Sequence, residues 1–73
     1  ITALRLAPRN VSVLANIGSA ELALDRLDQA SAHFSSALVL QPTFAPALDG
    51  LATTFERQGR SDRARALRGA AHP

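Results

Sequence analysis

VSVLANIGSAELALDRLDQASAHFSSALVLQP, residues 11–42, repeats itself along the chain. A shift of 34 residues carries Leu14 onto Leu48, Ile17 onto Leu51, Ala30 onto Ala64 and Ala37 onto Ala71. The opposite shift carries Ala37, Leu38, Leu40 and Pro42 onto Ala3, Leu4, Leu6 and Pro8. A fixed period of roughly 20 to 50 residues marks stacked units, because one unit cannot bury its apolar face alone.

Within the quoted stretch, spacing and punctuation predict two helices. Leu14, Ile17, Gly18 and Glu21 recur at threes and fours, one stripe of a helix over Val11–Leu24. Asn10 stands where a side-chain oxygen can accept from a free backbone N–H. Gly18 costs roughly 1 kcal/mol of helix propensity relative to alanine, so close helix approach is the expected reason for it. Asp25-Arg26-Leu27 is the expected turn, with Asp25 tolerating a left-handed backbone better than most residues. Asp28–Leu40 is the second helix, with Ala30, Phe34, Ala37 and Leu38 as its buried stripe and Leu40 extending it. Asp28 suits the positive end of the helix dipole, and Pro42 stops the helix.

The flanks follow the same plan. Ile1–Ala7 reads as the end of a preceding second helix, stopped by Pro8. Opening on Ile1, partway through that helix, the chain reads as a piece of a longer protein. Thr43 is the expected cap of a helix over Phe44–Gln58, with Pro46 tolerated in the first turn. Leu48, Leu51, Ala52 and Phe55 repeat the earlier stripe, and Gly59 supplies a positive-φ turn. Ser61–Ala71 is the last expected helix, capped by Ser61, with Asp62 in its first turn and Ala64, Leu67 and Ala71 inward. Here Arg68 replaces Phe34 and His72 replaces Leu38 at the shifted places. A helix so polar suits the end of a stack, which must show water a polar face. The alternative is that the Arg68 stem runs past a further helix.

The motif Leu14-x2-Ile17-Gly18-x2-Glu21, Ala30-x3-Phe34, Ala37-x4-Pro42 resembles the tetratricopeptide repeat, and the likeness covers nearly the whole chain. Two departures are Glu21, where that family usually has an aromatic, and Asp25, where it usually has glycine. The resemblance implies an all-α, right-handed solenoid of antiparallel helix pairs, about two repeats plus a partial leading helix. Residues 1–8 would end a preceding repeat, 9–42 form one repeat and 43–73 a second, terminal or capping one. It also implies that each first helix lines a concave groove, on the stripe opposite its packing stripe. That stripe holds Ser12, Asn16, Ser19 and Ala23, flanked by Ala15 and Leu22, then Pro46, Gly50, Thr53 and Arg57, flanked by Asp49 and Glu56.

Asn16, Asp49, Thr53 and Arg57 are the expected contacts to a peptide or partner protein. Asn16 and Thr53 would hydrogen-bond it, and Asp49 and Arg57 would select charge. The family's carboxylate clamp needs a lysine one residue before the asparagine. Ala15 stands there, which argues against capture of an acidic C-terminus in that manner. The role implied is a non-catalytic interaction scaffold. Its alternatives are the accessory region of a larger enzyme, such as a protein glycosyltransferase or sulfotransferase, or a self-assembly module.

Composition narrows the rest. Seventy-three residues make one small domain, which buries only about 60% of its unfolded surface and is marginal alone. Weak stability, or pairing with a second copy through Ile1–Leu6, is the expectation. The absence of Cys excludes disulfides and thiolate metal sites and leaves both cytoplasm and periplasm open. No apolar run is long enough to span a bilayer. Net charge is +2, carried by eight Arg and no Lys, which points to a GC-rich, bacterial codon usage. Arg57, Arg60, Arg63, Arg65 and Arg68 cluster, but no aromatic interleaves them for base stacking, which argues against nucleic acid. His33 and His72 lie outside any metal-binding spacing, and Ser35 and Ser36 outside any nucleophile motif. No cofactor, metal or catalytic residue is expected.

Overall fold

Capping chemistry sets where the helices begin and end. The computed structural model describes residues 10–71. They form α1 (Val11–Ala23), α2 (Leu27–Leu40), α3 (Ala45–Arg57) and α4 (Ser61–Ala71), with no strand among the described residues. The fold is all-α. Asn10 caps α1 as expected, its Oδ1 accepting from the backbone N–H of Ser12 at 2.9 Å and of Val13 at 3.2 Å. Two caps differ from expectation. Phe44, not Thr43, holds the N-cap of α3, in extended backbone and without a side-chain cap bond. The turn before it is closed instead by the Phe44 N–H donating to the Gln41 carbonyl at 3.0 Å. Ser61 is already the first residue of α4, and the Ala64 N–H donates back to the Arg60 carbonyl at 3.1 Å.

The two tight turns are built alike. Asp25 has φ 62° and Gly59 has φ 80°. In the first, the Arg26 N–H reaches back to the Glu21 carbonyl at 2.8 Å, and the Asp25 N–H to the Leu22 carbonyl at 3.0 Å. In the second, Arg60 reaches Phe55 at 2.7 Å and Gly59 reaches Glu56 at 3.1 Å. This is the pattern by which a left-handed residue satisfies the last free carbonyls of a helix. Aspartate there carries a Cβ penalty that glycine does not.

With three-residue connections, α1 folds back on α2 and α3 on α4. The hairpins join through α2 against α3, and α1 also touches α3. The molecule extends 40 × 29 × 13 Å, so thin that every helix keeps an exposed side. The core is correspondingly small: Leu14, Ala15, Ala30, Phe34, Ala37, Ala47 and Leu51, with Leu22, Leu38, Phe44, Phe55 and Leu67 packed at its margin.

Phe34 is its centre, fully buried. A Cβ on Gly18 of α1 would lie 2.9 Å from the Phe34 ring, and one on Gly50 of α3 would overlap the ring outright. Small residues on both neighbours therefore let one aromatic of α2 seat between them, which is the close approach expected of Gly18. Thr54, also fully buried, is satisfied by donating its hydroxyl to the Gly50 carbonyl at 2.8 Å.

Several burial expectations are corrected. Ile17, assigned to the packing stripe, is 39% exposed, and Leu40 is exposed as well. Ala15, assigned to the groove edge, is buried in the core cluster with Leu14 and Phe34. Gly50, assigned to the groove, lies against Phe34. Periodicity gives a helix its stripes, but the neighbouring helix decides which stripe is covered. The expectations for Ile1–Ala7, Pro8, the Ala71 side chain and His72 lie outside the described residues.

Candidate functional site

Asp49, Thr53 and Glu56 recur at i, i+4 and i+7 along one side of α3. Arg68 of α4 reaches all three. Its Nη1 donates to Asp49 Oδ1 at 2.7 Å, and its Nη2 to Glu56 Oε1 at 2.9 Å and, more weakly, to Thr53 Oγ1 at 3.5 Å. Hydrogen bonds to Glu56, and then to Asp49, raise the guanidinium pKa above its ordinary value. The Arg68 side chain is 39% exposed and that of Asp49 75%. Exposed pairs of this kind contribute little individually, and the network fixes side-chain directions more than it stabilises the fold.

The other expected contacts lie elsewhere. Arg57, at the end of α3, donates its Nη1 to the Leu22 carbonyl of α1 at 3.2 Å. A cation at the C-terminal turn of a helix is well placed against the dipole, so this bond ties the ends of α1 and α3 together. Asn16 is exposed on α1. Its counterpart one period on is Gly50, which faces Phe34. Asn16 thus belongs to the side of α1 that carries Val13 and Ile17. The structure brings Asp49 and Thr53 together on one guanidinium, places Arg57 against α1, and sets Asn16 apart.

Two participants were not singled out as contacts by the sequence reading. Glu56 is a flank of the groove stripe, and Arg68 is a polar residue of the last helix and one of five clustered arginines. The i, i+4, i+7 row of polar residues on α3 was the available signal for Glu56. Arg68 lies 19 and 12 residues from its carboxylates, beyond any local pattern.

A second polar pair joins the first hairpin. His33 Nδ1 lies 2.6 Å from Glu21 Oε1 and 3.1 Å from the Gln29 carbonyl. Glu21 and His33 hold the places that Phe55 and Leu67 hold one period later. Conversely, Ala15 and Phe34 hold the places of Asp49 and Arg68. Each hairpin is polar at one of these two pairs of positions and apolar at the other.

Among the described residues, no three His, Cys, Asp or Glu side chains are grouped to hold a metal ion. No described helix is long and apolar enough to cross a membrane. What the α3 side offers chemically is hydrogen bonding and charge: a carboxylate with free lone pairs at Asp49 and a guanidinium at Arg57. Comparison with protein-family models, curated proteins and solved structures finds no match.

Proposed function

We propose that this chain is a non-catalytic interaction module, a tetratricopeptide-like stack of antiparallel helix pairs that binds a peptide or partner protein along α1 and α3. One observation carries the reading: α1 touches α3, so the first helices of both hairpins are neighbours. Ser19 and Thr53, one period apart, then border a common surface, with Asp49, Glu56 and Arg57 supplying charge on the α3 side. The 34-residue recurrence of Leu14, Ala30 and their partners supports the repeat assignment. So do the two closing hydrogen bonds that both turns share.

A helical surface of small and polar residues suits an extended peptide or a partner helix. Because Arg68 holds Asp49 in place, that carboxylate meets a basic partner side chain with less ordering cost. Asn16, on the side of α1 that carries Val13 and Ile17, is not part of this surface.

The test is peptide display against the full chain, followed by titration of the enriched peptides. Ser19→Arg and Thr53→Arg should weaken them at least about tenfold, a change of ~1.4 kcal/mol. Ala32→Arg, on an exposed part of α2, should leave them unchanged. Enriched peptides equally sensitive to all three substitutions, or no enrichment at all, would reject this surface as the binding face.

A further inference from the structure

We infer that the Arg68 guanidinium is a stacking platform for an aromatic side chain of the bound segment, and that Asp49 beside it takes a basic residue next to that aromatic. The inference rests on the binding role proposed above and names the chemistry of the partner.

The parts of the guanidinium already in use point to this. All the N–H donors of an arginine lie in the plane of the group. Nη1 donates to Asp49 Oδ1 at 2.7 Å, and Nη2 to Glu56 Oε1 at 2.9 Å and Thr53 Oγ1 at 3.5 Å. These partners engage the rim at both Nη atoms and so set the plane. Hydrogen bonds take the edge of a guanidinium and leave its face, and the Arg68 side chain keeps 39% of its surface exposed. A ring laid on that face needs no N–H that the carboxylates have taken. An aliphatic side chain would cover the same face without the attraction between a cation and a π system. The network also holds the arginine before a partner arrives, so stacking orders one long side chain less.

Charge decides the neighbour of the aromatic. One guanidinium between two carboxylates leaves the cluster with a formal charge of −1. Among the described residues, Asp49 uses only Oδ1 and Glu56 only Oε1, so each keeps an oxygen for a partner. The cations nearby in sequence are turned elsewhere. Arg57 donates to the Leu22 carbonyl, and Arg65, one turn before Arg68, lies 4.0 Å from Asp62. An acidic side chain or a phosphate arriving at Arg68 meets two carboxylates and has to displace their hydrogen bonds. A basic side chain meets the exposed Asp49 directly.

The test titrates the full 73-residue chain with three blocked hexapeptides, Gly-Ser-Trp-Lys-Ser-Gly and its Leu-Lys and Trp-Glu forms, followed by NMR. Trp-Lys should bind roughly threefold tighter than either of the others. It should also move the Arg68 Nε–H resonance upfield through the ring current, which a merely structural arginine would not show. Arg68→Lys keeps the charge and loses the plane, and should bring Trp-Lys down to the affinity of Leu-Lys. Asp49→Asn should erase the preference for Trp-Lys over Trp-Glu. The peptide comparison in the parent chain needs no variant, so a substitution that unfolds the protein leaves the test intact. Equal affinities for Trp-Lys and Leu-Lys, a stationary Arg68 resonance, a preference that survives Arg68→Lys, or Trp-Glu binding as tightly as Trp-Lys would each overturn the inference. Display peptides weakened by Ser19→Arg, with no aromatic preference at Arg68, would sink this inference and leave the binding surface standing. An aromatic preference at Arg68 with no effect of Ser19→Arg would do the reverse.

Discussion

Gly50→Ala should destabilise the chain although alanine is the better helix former. A Cβ at Gly50 overlaps the Phe34 ring, which is fully buried and has Gly18 of α1 on its other side. The ring cannot retreat, because on that side a Cβ on Gly18 would already come within 2.9 Å of it. Overpacking of this kind costs about 1–3 kcal/mol. Alanine returns up to about 1 kcal/mol of helix propensity, leaving a net loss near ~1 kcal/mol. In a domain of this size that is a fall of roughly 4–8 °C in Tm. Gly69→Ala is the control, since a Cβ there meets nothing within 4 Å. It should stabilise by up to ~1 kcal/mol, less if the end of α4 frays. Urea unfolding of both variants reads the sign directly. A third variant, Gly50→Ala/Phe34→Leu, should show a smaller penalty for the alanine than the parent does. If Gly50→Ala and Gly69→Ala shift stability alike, or if Phe34→Leu leaves the penalty intact, the seating of Phe34 between two helices is wrong.

Asp25→Gly should stabilise by about 0.5–1 kcal/mol in thermal unfolding, since φ 62° costs an L-residue what Gly59 avoids at φ 80°. Glu21→Phe and His33→Leu should each destabilise alone, by stranding the other partner. Made together they install the pair found at Phe55 and Leu67, and the cycle should return a favourable coupling of at least about 0.5 kcal/mol. Arg68→Ala should lower Tm at low ionic strength and much less in 1 M salt, where exposed charges are screened over about 3 Å. Its raised pKa means that the Arg68 contribution is complete below the ordinary guanidinium range and fades only as pH climbs through the raised value, so salt rather than pH is the working probe.

Features whose cause is local were legible in the sequence. The Asn10 cap, the left-handed Asp25 and Gly59, and the buried Ala30, Phe34 and Ala37 all follow from a few neighbouring residues. What was missed depends on residues far along the chain. Ile17 and Ala15 exchanged roles because cover on α1 is set by α2 and α3, not by its own periodicity. Asp49 and Thr53 were singled out for their helix face, but their common partner Arg68 comes from the next helix. Aligning the two hairpins at 34 residues would have flagged it: where Phe34 changes to Arg68, Ala15 changes to Asp49. The Glu21 and His33 exchange against Phe55 and Leu67 carries the same signal.

The most direct measurement is a nuclear Overhauser spectrum of the Phe34 ring. Only three phenylalanines are present, so its resonances are readily separated. Strong cross-peaks to the α-protons of both Gly18 and Gly50 are predicted, because α2 then lies between α1 and α3 and holds the first helices of the two hairpins together. Cross-peaks to Gly18 without Gly50 would mean that the hairpins do not stack, and with that the shared surface of α1 and α3 would not exist.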